Sequence, residues 1–212
     1  MKARSYPATQ YLIAAICLVY IANFYIFPHL YPFIQEYLFL IRKFPYFNGD
    51  TNLHGVYAGE WWRVITVVFT HANLLHIGSN MLALWSVGSQ FEIIAGKTKF
   101  LILFFGSAAI ASLVSLQFLA DEQPSVGASG AIFGLFGGLL VYAKLSGYSI
   151  NYNSLIGTIV LNLLITFTNS QIDWHAHLGG LVGGAVIAYL LAKSKKRPKQ
   201  DPWKTSWDSD LN

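Results

Sequence analysis

Cysteine occurs once in 212 residues, at Cys17, so neither a disulfide framework nor a cysteine-ligated metal can be built from these residues. Charge is scarce too: Asp, Glu, Lys and Arg make up 11% of the chain, far below the share that covers an ordinary soluble domain. There is no internal repeat, no low-complexity tract and no H-E-x-x-H zinc motif. No Asp, Glu, Lys or Arg stands between Ser5 and Gln35. That run is longer than a signal-peptide core and carries no A-x-A cleavage site, so a retained helix is expected there.

What fills the chain instead is apolar: 54% hydrophobic and 16% aromatic residues. A bilayer core of roughly 30 Å needs about 20 apolar helical residues, or about 17 at the short end. Six stretches are near or above that length, at about 11–28, 75–91, 100–120, 126–143, 154–168 and 176–192. The fifth is the least apolar, with Asn162 at its middle. The expected fold is an all-α membrane protein with six transmembrane helices. Residues 1–193 would form one membrane domain with a long outer loop at about 31–70, and 194–212 a short polar cytoplasmic tail. The loop aromatics Tyr31, Phe33, Tyr37, Phe39, Phe44, Tyr46, Phe47, Trp61 and Trp62 suit the headgroup boundary, either as a passive belt or in a specific role.

Lys and Arg near a membrane segment resist translocation and so set orientation. Threading six helices from a cytoplasmic N-terminus puts 11 of the 14 basic residues inside and leaves only Arg42, Lys43 and Arg63 outside. Glu36, Asp50, Glu60, Asp121, Glu122 and Asp173 then fall on the outer side. Both termini are expected in the cytoplasm, in a multi-pass protein of the cell membrane. The excess of basic residues does not point to nucleic acid, because the cluster at 193–199 abuts the last helix, where it serves topology and anionic lipid contact.

Polar side chains within a span are costly, which makes each a functional-site hypothesis. Ser129 stands in Gly127-Ala128-Ser129-Gly130 at the start of the fourth stretch. Backbone N–H groups at a helix start can stabilise an oxyanion, although small residues also serve plain helix packing. His177 stands in His175-Ala176-His177-Leu178-Gly179-Gly180, and the spacing of Gly179, Gly180, Gly183 and Gly184 leaves one face without bulk. A close approach on that face would bring the imidazole to Ser129 as a general base. A hydrogen bond to a backbone carbonyl is the other reading of this histidine. His76 and Asn80, four apart on one helix face, can donate to a developing negative charge or merely fasten helices together. Asp173, four residues before His177, is expected to cap its helix rather than complete a triad. His175 is expected to face the interface. Glu92 belongs to the opposite membrane face, where it can accept hydrogen bonds from a neighbouring helix start.

These motifs, in this order, resemble the rhomboid family of intramembrane serine proteases over nearly the whole chain. Trp62-Arg63 resembles the Trp-Arg motif of the first outer loop, and His71 to Asn80 follows the pattern H-x4-H-x3-N. Gly127-Ala128-Ser129-Gly130 follows G-x-S-G, and Ala176-His177-Leu178-Gly179-Gly180 follows A-H-x-x-G. The resemblance implies a minimal bacterial six-helix form with a Ser129–His177 dyad. It also implies oxyanion stabilisation by His76, Asn80 and the Ser129 amide, and a structural role for Glu92. Gly127, Gly130, Gly180, Trp62 and Arg63 are carried over as substrate-site or structural positions. Phe133 stands where many bacterial relatives have a tyrosine packed on the catalytic imidazole.

The resemblance further implies acyl-enzyme cleavage of transmembrane protein substrates without metal or cofactor, at a site that opens to the outer side. It leaves the oligomeric state open. Two other readings remain at this point. One is a catalytically inactive rhomboid-like protein that binds transmembrane helices. The other is a channel or metal transporter built on His71, His76, His175 and His177, disfavoured because the outer half of the spans lacks a carboxylate to pair with a cation.

Overall fold

A computed structural model describes residues 6–26, 37–45, 53–168 and 172–193. The expected tail from 194 onward, and the aromatics Tyr31, Phe33, Tyr46 and Phe47, lie outside the described residues. Eight α-helical segments are numbered here in chain order among the described residues. Helix α1, Pro7–Ile21, closes in a π turn, Ala22–Ile26, and α2 is the short Arg63–Thr66. Helix α3, Leu74–Ala83, passes through a π turn, Leu84–Gly88, into α4, Ser89–Ala95. Then follow α5, Lys97–Ser115; α6, Ser129–Ser146; α7, Tyr152–Thr168; and α8, Trp174–Lys193.

Among the described residues, four helical stretches are long and apolar enough to cross a membrane: Pro7–Ile26, Lys97–Ser115, Ser129–Ser146 and Trp174–Lys193. Helix α7 is apolar but shorter. The count of six requires adding α7 and the interrupted α3–α4 run to these four.

Boundaries follow local chemistry. Proline is tolerated at the first helical position, where its missing N–H costs nothing, so α1 begins at Pro7, ahead of the apolar stretch. Helix α6 begins at Ser129 rather than at 126, because Gly127 has φ +113°, a conformation that L side chains rarely adopt.

Helix α6 is the centre of the bundle, buried without a break from Gly130 to Leu139. Its closest partner is α8, and the contact is backbone against backbone. A Cβ on Gly180 would run into the Gly130 carbonyl, and one on Gly184 into the Gly134 carbonyl. Lipid tails are as apolar as leucine, so such packing at close range drives helix association where the hydrophobic effect cannot. Helix α7 is the opposite case: only Ile159 and Thr166 are buried along its length.

The long loop before α3 departs from an all-helical reading. Phe44–Pro45 (β1) pairs antiparallel with Leu53–His54 (β2), and Leu40 forms a separate bridge with Ser125. Buried loop backbone must find partners somewhere, and this small ladder provides them. Behind it Arg63 is fully buried, donating from Nε to Glu60 Oε2 at 2.6 Å and from an Nη to the Phe39 carbonyl at 3.0 Å. The guanidinium lies over the Phe39 and Phe44 rings. Glu60 also accepts the Gly55 N–H at 2.7 Å and meets His54 Nδ1 at 2.8 Å. Trp62 Nε1 donates to the Tyr37 carbonyl at 3.0 Å while its ring stays exposed, as does that of Trp61. Among the described residues, the loop aromatics therefore divide into an exposed set, Tyr37, Trp61 and Trp62, and an inward pair, Phe39 and Phe44, whose rings both lie against Arg63.

At the other end of the helices, buried Glu92 accepts the N–H groups of Ala8 and Thr9 at 2.9 and 2.7 Å and the Thr9 hydroxyl at 2.8 Å. One carboxylate thus caps α1 from α4 and satisfies donors that a helix start leaves open.

Burial alone would raise the Glu60 pKa, but the bonds from His54, Gly55 and Arg63 outweigh it and hold it below the ordinary 4.5. A depressed carboxylate pKa stabilises the fold above the unfolded-state pKa, and that stability is lost as pH falls through the folded value. Melting in detergent is therefore expected to weaken on acidification below pH 4.5, and Glu60→Gln to show a flatter acid limb. Gly184→Ala is expected to lower stability by about 1–3 kcal/mol through overpacking; an unchanged melting temperature would contradict the close α6–α8 contact.

Candidate active site

The first turns of three helices converge. Ser129 is the first residue of α6, His177 lies in the first turn of α8, and His76 and Asn80 lie in the first two turns of α3. The cause lies in the loops as much as in the helices. Backbone bonds between Leu40 and Ser125, at 3.0 and 2.8 Å, tie the outer loop to the segment entering α6, and Gly127 N–H donates to the Val67 carbonyl at 3.3 Å. Only glycine fits at 127, since a Cβ there would lie 2.8 Å from both Cε1 and Nε2 of His76.

Ser129 Oγ and His177 Nε2 are 2.7 Å apart, although 48 residues separate them in the chain. The Phe133 ring stacks on the imidazole, with centroids 4.3 Å apart and planes at 18°. A phenyl ring therefore provides the apolar face at this position.

The pair opens into a cavity of about 720 Å³ whose lining includes His76, Asn80, Gly127, Gly130 and Phe133. No side chain caps the start of α6, which leaves the unpaired N–H groups of its first turn to the cavity. Nδ1 of His76 accepts the Ala72 N–H at 3.5 Å. In a neutral ring the proton then sits on Nε2, the edge that faces Gly127. Asn80 is buried and donates to the His76 carbonyl at 2.8 Å, while its Oδ1 finds no protein partner.

Other residues singled out by sequence stand apart from the Ser129–His177 contact. Asp173 accepts the Ala176 N–H at 3.1 Å and the Ser125 hydroxyl at 2.9 Å, and also bonds the Ser115 hydroxyl. It caps α8 and ties that helix to α5 and to the segment entering α6. His175 is stacked between Phe118 and Trp174, at 4.0 and 3.7 Å. His71 is buried edge-on to His76, with ring centroids 5.1 Å apart. Gly180 holds the α6–α8 contact rather than touching the cavity. Trp62, Arg63 and Glu92 belong to the loop and helix-end networks described above.

One residue carried no sequence signal. Thr166 of α7 is buried, with Oγ1 2.8 Å from His177 Nδ1. A threonine inside a helix usually bonds back to a carbonyl three or four residues earlier, and the hydroxyls of Thr158 and Thr168 of the same helix bond only such carbonyls. Nothing in the sequence distinguishes Thr166 from them before α7 is placed against α8.

The family model for the rhomboid domain matches residues 58–194, a range that contains every one of these side chains. The chain belongs to the rhomboid family. Rhomboid protease GluP of Bacillus subtilis is 36% identical over 185 residues, which is 80% of this chain and 35% of GluP. The rhomboid-family YdcA of the same organism is 34% identical over 192 residues, 82% of this chain and 96% of YdcA. RHOMBOID-like protein 5 of Arabidopsis thaliana is 36% identical over 143 residues, 64% of this chain and 46% of the plant protein. This rhomboid chain thus spans about a third of GluP and nearly the whole of YdcA.

Proposed function

We propose that the protein is an intramembrane serine endopeptidase that cleaves transmembrane segments of other membrane proteins. The observation that carries this reading is the 2.7 Å contact between Ser129 Oγ and His177 Nε2 at the wall of a cavity able to hold a peptide segment. Membership of a family that includes named proteases supports it.

Ser129 is the nucleophile. As Oγ attacks the scissile carbonyl carbon, its proton passes to His177 Nε2, and the carbonyl π electrons move onto oxygen. His76 Nε2–H, Asn80 and the Ser129 backbone N–H stabilise that oxyanion. The imidazolium then protonates the leaving amine, the C–N bond breaks, and an acyl-enzyme remains. Water, deprotonated by the same imidazole, attacks the ester, releases the carboxylate product and restores the serine. Phe133 holds the ring in plane, and Gly127 and Gly130 leave room for the substrate backbone.

Six spans with both termini on the cytoplasmic side put this site in the outer part of the cell membrane, with residues 1–193 as one membrane domain. The lysine and arginine distribution supports that topology. A helical substrate must unwind locally before attack, since its carbonyls are hydrogen-bonded and shielded.

A fluorophosphonate probe is expected to label the purified protein in detergent or lipid. Ser129→Ala and His177→Ala should each abolish labelling and lower cleavage of a transmembrane substrate on the order of 10⁴-fold or more. An intact, well-folded wild-type protein inert to both assays would favour an inactive binder of transmembrane helices. Asp173→Asn is expected to keep labelling within a few-fold, whereas loss of a triad carboxylate costs about 10⁴-fold. Its effect should appear in stability instead, at about 1 kcal/mol for the weakened bonds from the Ser115 and Ser125 hydroxyls, since asparagine caps a helix as well as aspartate does.

A further inference from the structure

We infer that Thr166 is a positioning residue that sets the tautomer and the plane of His177, an inference that rests on the proposed role of His177 as the base. The single proton on the Thr166 hydroxyl decides the direction of its bonds. Thr166 Oγ1 makes two short polar contacts, 2.8 Å to the Asn162 carbonyl and 2.8 Å to His177 Nδ1. The hydroxyl has one proton and can also accept; a carbonyl oxygen can only accept. The hydroxyl proton therefore goes to Asn162, and the bond to His177 must be donated by the imidazole.

A neutral ring that carries its proton on Nδ1 has a bare lone pair on Nε2, which faces Ser129 Oγ at 2.7 Å. The chain Ser129 O–H to His177 Nε2, His177 Nδ1–H to Thr166 Oγ1, and Thr166 O–H to Asn162 C=O then runs in one direction without conflict. Phe133 fixes the tilt of the ring by stacking on its face, and Thr166 fixes rotation within that plane. Asp173 cannot do this from the side chain, since its carboxylate is engaged by Ser115, Ser125 and the α8 N-terminus.

The arrangement has a mechanical side. Helix α7 buries only Ile159 and Thr166, so the group that orients the base is carried by a lightly packed helix. Docking of α7 and the armed state of His177 are linked through a single hydroxyl.

The test compares wild type, Thr166→Val and Thr166→Ser. Valine keeps the shape and removes the acceptor; serine keeps the acceptor. Thr166→Val is expected to slow fluorophosphonate labelling of Ser129 roughly tenfold to a hundredfold, by analogy with the loss when a group orienting a metal-bound histidine is removed. The loss should fall on kcat with KM little changed, and Thr166→Ser should restore most of the rate. Nitrogen NMR of histidine-labelled protein reads the tautomer directly and does not depend on activity or on a folded variant. A wild-type His177 signal protonated at Nδ1 is the expected result. Protonation at Nε2 overturns the inference, as does a Thr166→Val protein with wild-type labelling rate. Wild-type protein that fails to react while its His177 carries the Nδ1 proton would instead sink the protease reading and leave the hydrogen-bond assignment standing.

Discussion

The backbone contact between α6 and α8 is the constraint on which the site depends. Ser129 and His177 sit at the starts of two different helices, and their side chains are too short to meet unless the helix axes come closer than most side chains allow. Gly130, Gly134, Gly180 and Gly184 make that approach possible by presenting carbonyl groups where Cβ atoms would collide. In a bilayer, where lipid offers apolar contact as good as protein does, this close fit is also a main source of cohesion. Stability and the Ser129–His177 distance are therefore produced by the same residues, and a substitution on this seam acts on both.

The outer loop makes a second contribution that is easily mistaken for decoration. Arg63 is completely buried among phenyl rings, a carboxylate and a carbonyl, so its charge is compensated locally rather than exposed to a substrate. Through the Leu40–Ser125 bridge the loop also holds the strand-like segment that delivers Ser129. Glu92 does comparable work at the far end, holding the start of α1. Glu92 and Arg63, which look costly by position, are each held by several short hydrogen bonds, and such pairing is the condition under which a bilayer tolerates polar groups.

Much of this was legible from residues alone, because it depends on local rules. The apolar stretches coincide with helices to within a turn or so, and of the glycines at 179–184 Gly180 and Gly184 mark the face that meets α6, whereas Gly179 and Gly183 face Val114 and Ile110 of α5. Asp173 could be read as a cap from its place ahead of an apolar run. What was not legible depends on contacts between elements distant in sequence. The β1–β2 ladder requires Phe44 and His54 to meet across a loop whose composition marks only an aromatic belt. Thr166 looks like any helical threonine until α7 is laid beside α8. The π turn at Leu84–Gly88 interrupts a run that apolar length reads as one unbroken stretch, 75–91.

The position of Ser129 as the opening residue of α6 carries a geometric corollary. In the proposed chemistry its hydroxyl and its own amide serve two different ends of the reacting carbonyl, and both belong to a single amino acid. Their relative placement is governed by one side-chain torsion and cannot drift as the bundle breathes. Slack between α6 and α8 therefore changes the separation of oxygen and imidazole but leaves the placement of that oxygen against its own amide intact.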